Sequence, residues 1–512
     1  MSAVEIPRTG TLIYVSLVLE VLRARPLLVV VLAASAQALL WTLVPWLFYG
    51  APPGELAWLL ALGHEFQLGS SLGPPLAPWL AELAHRAAGM FGVYALAQAC
   101  VLATFLIMFR LGRSLVGVQQ AALAVLVMVG ISAFALPTVE FGAAILAMPL
   151  WALALLHYWR AVGEGRRSHW FALALVLGLL LLTSYWGLLL IGVLFLFTLA
   201  HRRGRAALAR IDPWLSLVVT TIVLAPHLVW VWFNVDLVRP DLPPLDGPAV
   251  LRTSGFAWLR LVAALAVAHA GLFVLIVLAN GWPRRGQRAP LVVRAPLDGF
   301  ARGFIYVAAA APVILGTVIA ALIGRASVIT DAALMLVPAG LALVVLGGDR
   351  IPVHRQRVLA YAWFGLLLVP PLAAAGAMVL APWVGVDLRT AQPAAAMARY
   401  FGDSFERRTG RPLAMVTGDP RIATLIAAAA PSRPSLFLDA QPQLTPWASA
   451  EELRRRGGVV VWLTASTAGV PPPDIRARYP DLTPEVPRAF ERRVQGRLPA
   501  LRVGWGVIRP QQ

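Results

Sequence analysis

The residues whose types could do chemistry are few, and they lie at or near the ends of long apolar stretches. Glu55, His64 and Glu65 fall in an interruption between residues 50 and 88. Glu140 follows Pro137-Thr138, Tyr185-Trp186 separates two apolar runs, and His227 sits in Ala225-Pro226-His227-Leu228-Val229-Trp230, inside the run 214–234. Asn234, Asp236, Arg239 and Asp241 come where that run ends. Ionisable groups at membrane depth are costly and usually face a cavity or a partner, which makes these the candidates for a site. Each has a plainer alternative. His64 and Glu65 could be solvated helix residues, His227 a neutral ring bonded to a neighbouring helix, and Tyr185 and Trp186 members of an interfacial aromatic belt. All 43 basic residues are arginine, so any phosphate would be held by guanidinium groups, which suit bidentate contacts.

The elements that must position these groups follow from composition. Of 512 residues, 59% are hydrophobic and 13% charged, with mean hydropathy +0.74. A soluble domain has about 45–50% apolar and about 25% charged residues, so the chain reads as a polytopic membrane protein. Disorder, a collagen-like repeat and a disulfide scaffold are excluded, and the single Cys100 is silent on redox compartment. A helix needs about 20 apolar residues to cross the hydrocarbon core. Eleven spans are expected, near 27–49, 89–109, 118–136, 141–159, 170–184, 186–200, 214–234, 256–281, 303–323, 331–348 and 358–382. Residues 11–23 read as an interfacial helix, and no cleavable signal peptide is evident at the start.

Arginine placement orients the bundle. Twenty arginines fall in segments on the N-terminal side of this arrangement and five on the other side before residue 383. The excess places the N-terminus in the cytoplasm, and an odd number of spans places the C-terminal segment outside. The net charge of +18 is then a topology signal and not a nucleic-acid surface. Arg202-Arg203 and Arg284-Arg285 read as topology determinants and lipid head-group contacts.

Two regions follow: 1–384, a transmembrane unit with a long first outer loop at 50–88, and 385–512, an extracytoplasmic α/β domain. In the latter, short apolar runs at 412–419, 435–439, 458–463 and 500–508 alternate with helical stretches at 420–430 and 448–456. Gly418-Asp419-Pro420 marks a strand end feeding a helix, where a plain turn and N-cap outweighs a ligand site. In the outer loop, 55–67 and 76–88 are expected as two short helices along the membrane surface, joined by a Gly/Pro turn. No GxxxxGK[ST], HExxH, paired-cysteine or GxSxG motif occurs, which removes support from ATP-driven transport and metalloprotease chemistry.

Taken in order, these positions resemble the bacterial branch of the dolichyl-phosphate-mannose protein mannosyltransferases (glycosyltransferase family 39), related to the lipid A aminoarabinose transferases, with a membrane-embedded GT-C fold. Glu55 stands where that branch carries an aspartate, and Gly63, Gln67, Gly69, Pro74, Pro75, Leu76 and Trp79 match in register. Leu150-Trp151-Ala152-Leu153, Ser184-Tyr185-Trp186, Pro226-His227-Leu228-Val229-Trp230, Arg411-Pro412 to Gly418-Asp419, and Ala430-Pro431-Ser432-Arg433-Pro434 are similar to further stretches of it. The chain departs from the pattern at Trp58 for the second acid, Gly73 for a histidine and Ser184 for a lysine.

The resemblance implies transfer of a sugar, hexosyl or pentosyl, from a polyprenyl-phosphate donor to a lipid, glycan or protein acceptor, by one inverting displacement on the periplasmic face of a bacterial inner membrane. It implies Glu55 as the catalytic base. His64, Glu65, Glu140, Tyr185 and His227 would line the site, and Arg239, Arg260 and Arg325 are the candidates to hold the phosphate. No cofactor is implied firmly, since the missing acid at Trp58 weighs against a divalent metal without removing it. The rival expectation is a catalytically altered member that acts as a lipid- or glycan-binding scaffold or as a transporter.

Overall fold

The computed structural model describes residues 24–238, 248–280, 291–323, 333–352, 356–438 and 441–511. The stretch 11–23 and residues Arg239, Asp241 and Arg325 lie outside the described residues. Helix α1 (Pro26–Phe48) starts on a proline, whose fixed φ suits the first helical turn. A short helix, α2 (Leu56–His64), follows, and then α3 (Leu76–Val116). The 41 residues of α3 are two helices in one: Ala88 and Gly89 leave helical geometry, Gly89 with φ +60, a conformation that glycine takes without steric cost. The arm 76–87 is therefore distinct from the long apolar helix after the break, which begins where the second span is expected.

The remaining helices used below are α4 (Val118–Met128), α5 (Ala143–Tyr158), α6 (Ser168–Leu181), α7 (Gly187–Ala200), α8 (Asp212–Phe233), α9 (Pro248–Ala268), α10 (Gly299–Leu322) and α11 (Gln356–Leu380). α3 packs between α1 and α5, and α8 packs on α6. Trp41, Phe105, Phe134, Phe141 and Trp151 fill the interior, while Leu217, Ile222, Trp232, Phe233 and Val267 stand exposed on helix faces. Such a band of exposed apolar side chains belongs in lipid. On α8 the inward face is Ser216, Thr220 and His227; Ser216 Oγ donates to Trp170 O (2.9 Å) and Thr220 Oγ1 to Ala174 O (3.1 Å). Hydroxyls that bond across helices hold the pair together where no hydrophobic force acts between them.

Among the described residues six helices are long and apolar enough to cross a membrane, or nine if each of three bent pairs counts as one span. The chain is a multi-pass membrane protein. The expected count of eleven differs for local reasons. The stretch 118–136 is not one helix but α4 and a second piece, Ser132–Val139, bent by 84°. The stretch 170–184 gives the 14-residue α6, and the described part of 331–348 gives the short apolar helix Ala333–Leu346, broken by a turn before Ala339.

Before the C-terminal segment a small antiparallel ribbon is formed by β1 (Leu291–Val293) and β2 (Arg350–Pro352). The five strands that follow are β3 (Met415–Gly418), β4 (Ser435–Phe437), β5 (Gly458–Leu463), β6 (Thr483–Phe490) and β7 (Leu501–Ile508), in the order β4-β3-β5-β7-β6. The first three are parallel and the last two pair antiparallel. Helices α12 (Ala394–Thr409) and α13 (Pro420–Ala429) pack on one another and on the sheet. Asp419 is a plain N-cap, its carboxylate accepting from Arg421 N (2.8 Å).

Candidate functional site

The chain leaves α1 through a loop that is tied down at both ends. Gly50 N and Ala51 N both donate to Thr390 O, at 2.7 and 3.0 Å, so the segment that follows α11 holds the start of the loop. At its far end Gly54 turns with φ +53, and Glu55 N donates to Glu140 Oε1 at 2.8 Å. A Cβ on Gly54 would fall 1.6 Å from that same oxygen, so only glycine lets the Glu140 carboxylate lie over the turn. Two acidic residues 85 positions apart are thereby neighbours. Glu55 itself is exposed at the head of α2, and Glu140 is half-buried beside it.

Behind this rim lies a charged cluster that sequence reasoning missed. Glu82, on the arm 76–87, is fully buried. His64 Nδ1 approaches its Oε1 at 3.3 Å, Arg86 Nε donates to the same oxygen at 2.9 Å, and Arg433 Nη2 donates to Oε2. Burial by itself would raise the Glu82 carboxyl, but the hydrogen bonds from His64 and Arg86 and the charge of Arg433 overcome it and hold it down at about 2. Burial pulls the Arg433 guanidinium down from its ordinary range, with Glu82 opposing.

The sign of the pH effect follows from the depressed carboxyl. Its contribution to stability is complete above the ordinary value of 4.5 and is lost as pH falls toward about 2. Thermal unfolding of the purified protein should thus show a stability that is level in this respect above about pH 5 and falls steeply between pH 4 and pH 2. In Glu82→Gln the part of that fall due to this group should vanish.

α2 can approach the arm 76–87 because Gly63 has no side chain: a Cβ there would sit 2.2 Å from Pro78 O. The obstacle is backbone, which cannot swing aside. Gly63→Ala should cost about 1–3 kcal/mol by overpacking, read as a lower unfolding midpoint, with the outer loop loosened first.

A second group closes the turn between the two short helices. His227 Nδ1 lies 2.7 Å from Leu68 O, and a carbonyl only accepts, so Nδ1 carries the proton. Nε2 of the neutral ring then accepts from the Tyr185 hydroxyl at 3.0 Å. Trp230 stacks on His227 with the rings 11° apart, and its indole covers Gly69, where a Cβ would meet it at 2.3 Å. Ser70 and Gly73 bridge across the turn at 3.0 and 2.9 Å, and Trp79 Nε1 donates to Gln67 O at 2.9 Å. Tyr185, His227 and the Gln67–Gly73 turn are one assembly, drawn from three segments.

The structure thus brings Glu55 to Glu140, His64 to Glu82, and Tyr185 to His227. Glu65 follows α2 directly and keeps Oε1 out of solvent with no hydrogen-bond partner among the described residues. Arg260 lies on the exposed face of α9. Cavities of about 350 and 250 Å³ occur at the other end of α3, lined by Leu115, Arg294 and Pro296 and by Trp159, Arg203 and Asp298. Among the described residues none of the expected site residues lines them, and Glu55 is exposed. Among the described residues no three or more His, Cys, Asp or Glu side chains converge as a metal site requires.

Comparison with known proteins bears on the upper part of this assembly. Residues 73–230 match the family of dolichyl-phosphate-mannose-protein mannosyltransferases. Over these residues the resemblance read from the sequence motifs holds. The matched segment contains Glu82, Glu140, Tyr185 and His227 and begins within the outer loop, after Glu55, His64 and Glu65. No curated protein matches the chain. Among solved structures, ArnT from Cupriavidus metallidurans bound to undecaprenyl phosphate superposes with TM-score 0.57 at 15% identity, over 94% of this chain and 99% of that one. The apo state of the same ArnT gives 0.48 at 14%, over 94% and 99%. The apo oligosaccharyltransferase of Archaeoglobus fulgidus gives 0.42 at 14%, over 86% of this chain and 69% of that one. The likeness to the first of these structures shows that the chain shares the ArnT fold.

Proposed function

We propose that this protein is a membrane glycosyltransferase that moves a sugar from a polyprenyl-phosphate donor to an acceptor hydroxyl on the extracytoplasmic side of the membrane. The observation that carries the reading is the placement of Glu55. It is an exposed carboxylate whose backbone is pinned by Glu140, at the head of the outer loop, in a chain with the fold of a protein solved with undecaprenyl phosphate.

In the reaction the acceptor oxygen attacks the anomeric carbon from the face opposite the phosphate. The new C–O bond forms as the bond to the phosphate oxygen breaks, and the hydroxyl proton passes to the Glu55 carboxylate. Polyprenyl phosphate is a good leaving group, so the protein supplies chiefly a base and a charge clamp. One displacement inverts the anomeric configuration. Of the arginines expected at the phosphate, Arg260 is exposed on α9, where lipid would lie along it. Tyr185, His227 and Trp230 form the firm wall against which the donor is positioned, since their mutual bonds leave them little freedom. In this reading the segment 385–512 lies on the same side as Glu55, with the N-terminus in the cytoplasm, which the arginine distribution supports.

Lipid analysis of cells tests this. Cells lacking the protein should accumulate a polyprenyl-phosphate sugar that expression of the wild-type chain removes. Identical lipid pools with and without the protein would contradict it.

A further inference from the structure

Arg433 does more than neutralise a buried acid. It has a positive φ of +47, which is uncommon for a residue with a side chain, and from there its guanidinium reaches three elements. Nη1 donates to Ala428 O at 2.7 Å and to Ala427 O at 3.3 Å, satisfying carbonyls at the C-terminal end of α13. Nη2 donates to Leu60 O of α2 at 3.1 Å and to the Glu82 carboxylate of α3. A single planar cation thus joins the helix that follows β3 to both short helices of the outer loop. Arginine suits this because its donors are fixed in a fork, where lysine has one mobile point of charge.

The geometry points to Arg433 as a positioning residue: through Glu82 and Leu60 it seats the C-terminal sheet unit on α2, and so fixes the loop that presents Glu55. Three further observations support it. α13 and β4 pack against α2. The other end of the loop is tied to the same C-terminal segment by the bonds of Gly50 and Ala51 to Thr390 O, and a Cβ on Gly50 would crowd Gln392 O at 2.8 Å. His64, the last residue of α2, completes the shell of Glu82. The loop is therefore held from both sides by residues beyond 385. The sheet unit is part of the mount of the outer loop, and not a module tethered beside it.

The test uses the full chain in lipid nanodiscs and reads amide hydrogen exchange, which requires no knowledge of the substrate. In Arg433→Ala the amides of residues 50–64 should exchange roughly tenfold faster, because the segment loses its attachment and opens locally. Those of β5 and of the α3 helix beyond the break should keep their wild-type rates. Arg433→Lys keeps the charge but cannot span acceptors on three elements, and it should show the same local loosening at smaller amplitude. Unchanged exchange at 50–64 in both variants would overturn the assignment. So would faster exchange spread evenly over the whole protein in Arg433→Lys.

The effect on transfer rests on the glycosyltransferase reading. There, kcat should fall in Arg433→Lys while KM for the donor stays at its wild-type value, since Arg433 sets the base and touches no substrate. If the wild-type chain transfers no sugar, that reading fails while the exchange result still decides the role of Arg433.

Discussion

Glu55→Gln should lower sugar transfer roughly a thousandfold, the scale of a lost general base, while the protein inserts and unfolds as the wild type does. The substitution keeps the size of the side chain and removes its negative charge together with its ability to take a proton. Glu55 is exposed, and the bond that pins it to Glu140 comes from its backbone N–H, so the loop should stay in place. The check is an initial rate of transfer in liposomes beside a thermal unfolding curve. Full activity in a well-folded Glu55→Gln would remove Glu55 from the mechanism.

Glu82→Ala should be the most damaging single change to stability, at about 3–5 kcal/mol, because it leaves the largely buried guanidinium of Arg433 without its counter-charge. Arg433 has a side chain 14% exposed and would lose its only carboxylate among the described ion pairs. Arg86, more exposed, can turn to solvent. The loss should appear as a lower unfolding midpoint and as loosening of α2 against α13, and Glu82→Ala combined with Arg433→Leu should recover part of it. A variant as stable as wild type would show that the cluster is solvated and carries no weight.

How far the sequence reveals this site depends on the range of the interactions. The break at Ala88-Gly89 was legible, because an apolar run resumes there after a polar arm. Four of the five strands in the C-terminal sheet coincide with the apolar runs expected to form them. β6 escaped because Pro484 and Pro487 read as strand breakers; it lies at the edge of the sheet, with a register irregularity between Glu485 and Arg488, where proline is tolerated. Tyr185 and His227 were legible as polar groups in apolar surroundings, but no periodicity says that they bond to each other. Glu82 was hidden altogether. In Ala81-Glu82-Leu83-Ala84-His85-Arg86 it looks like the wet face of a surface helix, and its partners come from 18 residues before and 351 after. Only folding brings them together.

The most direct measurement is a single-turnover reaction of the purified chain in a bilayer, with a polyprenyl-phosphate donor labelled in the sugar and an envelope extract supplying acceptors. Label is expected to leave the lipid for an acceptor, with one polyprenyl phosphate released per sugar moved and the anomeric configuration inverted. Label that stays on its lipid, whether the lipid binds or crosses the bilayer intact, would contradict it.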